Sequence, residues 1–289
     1  MAVGIEIRAR SVRHLTVTER GEVVARSDQA LGKDAIPDAI RRALNAANGG
    51  MPAGVAMPWL GGPPAEVTTV LRDSPKSPTT IGTGAATAMA EAWCGAARGL
   101  QDVVAFGIDD HIVAGVIVGG LILRGANGLA GAVEWLSLNP VERADYRRYG
   151  GLAAEVSPGG IVRRAVWRIK SGDRSAIEDT VHGDLSRITV DHVLTAAQAG
   201  DGVSISVVRD TARYVGMAVS NLAAMLDPQA IVLGGMLAGS GAMMLDSIKL
   251  ECNRRLAPVQ AGRVSVVLST LGDDAAAIGA ARAALLEHQ

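Results

Sequence analysis

The spacing of apolar side chains changes repeatedly along the chain, and each change marks an element. At the start, Ile5, Ile7 and Ala9 alternate with Glu6, Arg8 and Arg10, the two-residue period of a half-buried strand. Residues 3–27 read as strands with a turn at Arg20-Gly21. Ile36, Ile40 and Leu44 then return at helical spacing within residues 34–48, and Gly49-Gly50 stops that helix. A short strand over 52–57, a Gly/Pro-rich loop over 59–64, a short helix over 66–72 and a short strand over 79–81 follow. A helix is predicted over 84–98. Residues 103–107, 112–118 and 121–123 read as three strands, the last two joined at Gly119-Gly120 by a two-residue hairpin turn.

The middle of the chain, 139–198, is polar and helical with Pro and Gly breaks. A long helix over 203–225 places Val207, Ala212, Val215, Val219, Leu222 and Met225 near one face and ends at Asp227-Pro228. A buried strand over 230–233, a helix to about residue 256, a strand over 264–268 and a final helix from Asp274 complete the order. This alternation predicts an α/β protein of two lobes, each with a mixed sheet and helices. The boundary is placed near 98–102, giving an N-terminal lobe over 1–100 and a C-terminal lobe over 101–289, with the last helix a candidate to pack back on the first lobe.

Composition narrows the picture. The chain has 289 residues, 48% of them hydrophobic, enough for a sizeable core. Its 28 basic and 29 acidic residues leave a net charge of -1, so no global field steers it to nucleic acid or an anionic membrane. The two cysteines, Cys94 and Cys252, are far apart without metal-ligand spacing and fit a reducing cytoplasm. Charges inside the first apolar stretch argue against a signal peptide, and the longest apolar run, 112–123, is too short to span a bilayer. With one Phe, three Tyr and four Trp, the core must be built from Ala, Val, Leu and Gly, which suits close helix–sheet packing.

Four segments carry a resemblance. GAATAMAEAWCGAARGLQDVV and VGGLILRGANGLAGAVEW fall within 84–135, LDPQAIVLGG occupies 226–235, and GDDAAAIGAARAAL stands near the end. Together, in this order and spacing, they resemble the ROK family of sugar kinases and repressors, most closely over 84–138 and 203–286. The resemblance implies a two-lobed actin-like ATPase (ribonuclease H-like) fold and a homodimer. It implies that Gly234 and Gly235 face the adenosine half of ATP, and it makes Asn127 of the Arg-Gly-Ala-Asn-Gly stretch a ligand-binding candidate. Such a kinase must cradle ATP phosphates with their Mg, hold a sugar, and supply a carboxylate that takes the proton of the attacking hydroxyl.

This chain departs from each of those motifs. The family's Asp-x-Gly-Gly-Thr-Lys becomes Glu6-Ile7-Arg8-Ala9-Arg10-Ser11, without the glycines that let backbone approach phosphates. Either Arg8 and Arg10 bind a smaller anion such as a sugar phosphate, or they and Glu6 form a solvated or mutually paired face. The glycine-rich second phosphate loop becomes Asp109-Asp110-His111-Ile112-Val113-Ala114-Gly115, placing negative charge beside a triphosphate. These residues are either a metal or catalytic site, with Asp110 as a relocated base, or a polar turn entering a strand. The catalytic Asp of the family falls on Thr83, which cannot act as a carboxylate base but can cap a helix.

In the sugar-contacting segment, Ala132 and Trp135 stand where the family has Glu and His. Glu134 lies on the same side of an extended chain as Ala132 and would replace the lost contact, with Trp135 stacking on a sugar ring. The other reading is a surface Glu beside a core Trp. Residues 146–153 hold no cysteine, so no zinc is expected. The second sugar-binding Glu falls on Ala153, with Glu155 as a displaced substitute.

The expectation is therefore a non-catalytic relative that binds a sugar-like or phosphorylated metabolite or a protein partner. The alternative is an atypical ATP- or polyphosphate-dependent sugar kinase with Asp109 or Asp110 in the base or magnesium role. Repressors of the family read DNA with an N-terminal helix-turn-helix. Here the first sheet starts within a few residues of Met1, so direct nucleic-acid binding is not expected.

Overall fold

The structure is a computed structural model that describes the chain except residues 32–35, 47–49, 60–61, 75–76, 110 and 289 and the side chains of Ala46 and Ser240. The first part of the chain forms β1 (Ala2–Ile7), β2 (Ser11–Val17), β3 (Val23–Ala30), α1 (Ile36–Ala46), β4 (Ala53–Met57), α2 (Ala65–Arg72), β5 (Thr79–Gly82) and α3 (Thr83–Cys94). Next come β6 (Val103–Ile108), β7 (Ile112–Val118) and β8 (Leu121–Ile122). A helical layer follows: α4 (Ala144–Tyr149), α5 (Gly151–Val156), α6 (Pro158–Lys170), α7 (Ile177–Thr180), α8 (Val190–Gln198) and α9 (Gly202–Leu226). The chain ends with β9 (Ala230–Gly235), α10 (Met236–Ser240), α11 (Ala242–Arg255), β10 (Ser265–Leu268) and α12 (Ala275–Glu287).

The strands make two sheets of one plan. The first runs β3-β2-β1-β4-β5 and the second β8-β7-β6-β9-β10. In each, the first three strands in sequence are antiparallel neighbours and the last two add on parallel. At the β7–β8 turn, Gly119 and Gly120 have φ of 55° and 78°, the left-handed pair that a tight hairpin demands.

The helices that follow the last strand of each sheet exchange partners. Helix α3 packs on β6 and β7 of the second sheet, α12 packs on β1 and β4 of the first, and the two helices pack on each other. Small residues permit this approach. A Cβ on Gly54 would lie 1.9 Å from the Ala280 carbonyl oxygen, and one on Gly84 would lie 2.4 Å from that of Ala114. The glycines and alanines of the conspicuous sequence segments thus serve helix–strand packing.

Three expectations need correction. Strand β1 is buried along its whole length, Glu6 included, rather than half-buried. It is a central strand, with α12 on one side and the Ile40 cluster of α1 and α2 on the other. Helix α3 stops at Cys94, not near 98: the buried Glu91 side chain accepts the Ala96 N–H at 2.8 Å and draws the chain out of the helix. In α9 the predicted stripe is buried except Met225, which is 78% exposed near the last turn. Among the described residues, no helix is long and apolar enough to cross a membrane.

Candidate functional site

Two adjoining cavities share Pro58, Thr83 and Val113. The first, about 280 Å³, is lined by Glu6, Arg8, Thr83, Asp109, His111 and Asp273, among others. The second, about 190 Å³, is lined mainly by apolar and small residues, with Met57, Trp59, Ile122, Leu123 and Ala130 among them. The strand ends and turns of both lobes meet here: the β1–β2 turn, the end of β4, the start of α3, the β6–β7 turn and the turn before α12.

Arg8 does not offer a free cation. Its Nε and Nη2 donate to Glu6 Oε2 at 2.9 and 2.7 Å. Nη2 also donates to the Asp273 carbonyl, and Nη1 lies 3.9 Å from Asp273 Oδ2. Burial pushes the Glu6 carboxyl above its ordinary range, and the neighbouring Arg8 opposes that rise. The mutually paired reading of Glu6 and Arg8 is the one observed. Arg10 is exposed and lines neither cavity, and its carbonyl accepts the Leu31 N–H at 2.8 Å.

Strands β2 and β3 carry a second ion network, reaching the turn before α12, that sequence reasoning missed. Arg13 bridges Asp28 through two bonds of 2.8 Å and Asp274 at 2.9 Å, and Arg26 also donates to Asp274. The hydrogen bond from Arg13 holds the Asp28 carboxyl below its usual range. Asp273 and Asp274 fall in the family-like segment 272–285, which was the only signal available for them.

At the β6–β7 turn, the Asp109 N–H donates to the His111 carbonyl at 3.0 Å. The Asp109 carboxylate lies over Gly235, where an added Cβ would fall 2.7 Å from both carboxylate oxygens. Gly235 has a φ of +63° and stands opposite Ile108, as Gly234 stands opposite Gly107. Asp110 lies outside the described residues. Among those described, no three His, Cys, Asp or Glu side chains gather as metal ligands.

Thr83 is not a helix cap. Gly82 occupies the cap position, Thr83 is the first helical residue, and its buried Oγ1 has no hydrogen-bond partner among the described residues. An orphaned buried hydroxyl is costly in the absence of a ligand or water.

The sugar-contact candidates fare differently. Glu134 sits in a 3₁₀ turn, Val133–Trp135, so it does not project with Ala132 as it would on an extended chain. It accepts the Trp135 indole N–H at 3.0 Å, and Trp135 is 53% exposed, neither core nor cleft. Asn127 is exposed in the turn after β8 and borders neither cavity. Glu155 is buried elsewhere, held by Tyr146 at 2.5 Å and Arg164 at 2.6 Å. The cleft therefore unites Glu6, Arg8, Thr83 and Asp109, with Gly235 beneath Asp109, and leaves out Arg10, Asn127 and Glu134.

Side chains stand at the β1–β2 turn, where the resemblance implies bare glycine backbone, and the carboxylates of Glu6, Asp109 and Asp273 line the first cavity.

Comparison with known proteins places this geometry in context. The ROK family model matches residues 55–287. A glucokinase of Halalkalibacterium halodurans is 33% identical over 196 residues, which are 66% of this chain and 58% of the glucokinase. The N-acetylglucosamine repressor of Escherichia coli O6:H1 is 26% identical over 67% of this chain and 46% of its own length. The chain thus matches about half the length of these relatives. Among solved structures, the ROK family glucokinase from Streptomyces griseus in complex with glucose and AMPPNP superposes with a TM-score of 0.80. It is 23% identical, and the match covers 97% of this chain and 98% of that one. The ROK hexokinase from Thermus thermophilus gives a TM-score of 0.81 at 22% identity, covering 100% and 99% of the two chains. With the two repeated sheets, the exchanged helices and a family match over most of its length, the chain belongs to the ROK family.

Proposed function

We propose that this chain is a non-catalytic member of its family, a homodimer that binds a small molecule in the cleft and does not transfer phosphate. The observation that carries this reading is Arg8, clasped between Glu6 and Asp273 at the turn where the family has bare glycine backbone. Thr83 at the base position supports it. Loss of general-base help alone costs about 100- to 10,000-fold in rate, and the altered phosphate loops add to that loss. A coupled assay with ATP or polyphosphate against hexoses and amino sugars is expected to give no rate above the enzyme-free background. Turnover of any of them at a useful rate overturns the reading. Light scattering at twice the chain mass tests the dimer.

One observation favours a second reading, an atypical ATP- or polyphosphate-dependent sugar kinase: Asp109 borders the same cavity as Thr83. That reading requires measurable phosphoryl transfer that collapses in Asp109→Asn or Asp110→Asn.

A further inference from the structure

The helical layer of the second lobe is cut by an open groove of about 1310 Å³, which shares no lining residue with either cleft cavity. Helices α4, α6 and α9 line it, together with Leu138 and Pro140 before α4. From α9 come Asp210, Arg213, Tyr214 and Met217, the i, i+3, i+4, i+7 stripe of one helix face. Val207, Thr211 and Val215 of the same helix are buried in the lobe instead.

The groove has the chemistry of a protein–protein contact. The chain has only three tyrosines. Tyr146 and Tyr214 line the groove, and Arg163 of the lining lies 4.8 Å over the ring of the third, Tyr149. Arg143 and Arg164 lie over Tyr146 and Tyr214 at 5.4 and 5.5 Å. Trp167 also lines the groove and is 68% exposed. Tyr, Trp and Arg are the residues enriched in interface cores, and they carry most of the binding energy there.

The charges set what the other side must carry. Glu155 pairs with Arg143 at 3.4 Å and with Arg164 at 2.6 Å, Arg163 with Asp145 at 3.6 Å, and Arg168 with Asp173 at 2.7 Å. Two charged lining side chains are left over, Asp210 and Arg213, whose charged groups make no hydrogen bond or ion pair among the described residues. They have opposite signs and sit one turn apart on α9. A basic partner would satisfy only the first, and an acidic partner only the second. A second copy of this chain satisfies both. About a two-fold axis crossing α9, the two helices run antiparallel, and position 210 of each faces position 213 of the other.

Building on the dimer of the proposed function, we infer that this groove is its interface: two copies meet α9 against α9, Asp210 pairs with Arg213 of the partner subunit and Arg213 with the partner subunit's Asp210, and Trp167 is buried at the contact.

Sedimentation equilibrium of the intact chain tests this by charge reversal and charge swap. The parent chain is expected to be a dimer. Arg213→Asp sets like charges opposite each other twice per dimer, and so does Asp210→Arg. Each is expected to raise the dissociation constant at least about a hundredfold. The double variant Asp210→Arg with Arg213→Asp re-forms both pairs with their signs exchanged, and is expected to return to within about tenfold of the parent. Trp167→Ala is expected to weaken the dimer at least about tenfold. Circular dichroism verifies that each variant is folded. A dimer that survives both single reversals, or a swap that restores nothing, overturns the inference while the dimer itself stands. A parent chain that stays monomeric at the highest concentration strikes the dimer reading, and the inference with it.

Discussion

Arg8 and Glu6 form the pair on which the reading of the cleft turns, and its energetics can be measured. Both side chains are largely withdrawn from water, at 25% and 10% exposure. Removing one partner leaves the other buried and uncompensated, whereas replacing both by neutral groups of similar shape does not. Arg8→Ala is expected to destabilise the fold by about 2–3 kcal/mol. The double variant Glu6→Gln with Arg8→Met is expected to cost less than Arg8→Ala alone. Urea unfolding of the three proteins checks this, and equal losses in both variants would show that the pair is not coupled. Glu91 gives a second test. It is fully buried and accepts from the Ser269 hydroxyl and the Ala96 N–H, and burial raises its carboxyl above the ordinary range against the pull of those bonds. A raised folded-state value favours the protonated form. Its contribution is therefore full below the unfolded value and is lost as pH rises through the folded one. Relative to Glu91→Gln, the parent chain should gain stability between pH 7 and about 4.5, as read by denaturant unfolding at both ends of that range.

Elements were legible wherever a local rule set them. The hairpin at Gly119-Gly120, the strand pair flanking it and the long helix α9 all follow from short-range periodicity and turn chemistry, and all are present. Two boundaries were not legible because distant or unusual partners set them. Helix α3 ends where Glu91 captures Ala96 and Ser269, and Ser269 is 178 residues away. Strand β1 reads as half-buried because Glu6 and Arg8 look like a wet face, yet α12 and Arg8 itself cover Glu6. The contact of α12 with the first sheet predicts the outcome of a minimal substitution. In Gly54→Ala the new methyl would fall 1.9 Å from the Ala280 carbonyl oxygen, a backbone atom with little freedom to move. Overpacking of this kind is expected to cost at least about 2 kcal/mol, visible as a lowered thermal midpoint. An unchanged midpoint would mean that α12 can lift from β4 without penalty.

The whole molecule is two copies of one strand plan tied together by exchanged helices. Helix α12 closes one face of the first sheet with a run of buried alanines, Ala277, Ala280, Ala281 and Ala284, and packs on α3 as well. A chain ended at Asp274 is expected to lose cooperative unfolding, because β1 and β4 would expose a continuous apolar face to water. Circular dichroism during heating checks this, and a truncated chain that melts in one sharp transition would contradict it. The cleft belongs to this scale as well. Its lining comes from residues as far apart as Glu6 and Asp273, and neither lobe alone holds it.

By itself the sequence determined the elements, the two-lobed α/β plan and the family, because periodicity, turn residues and short motifs act within a few residues of each other. It also put Arg8, Asp109 and Thr83 at positions where the resemblance implies bare glycine or a carboxylate base, since residue identity can be read directly. Only the tertiary structure decided which groups pair with which. Arg8 meets Asp273 across 265 residues, Glu134 turns away in a 3₁₀ step, and the buried Thr83 hydroxyl has no hydrogen-bond partner among the described residues. Pairing and desolvation depend on through-space distance, and a one-dimensional pattern carries no record of that.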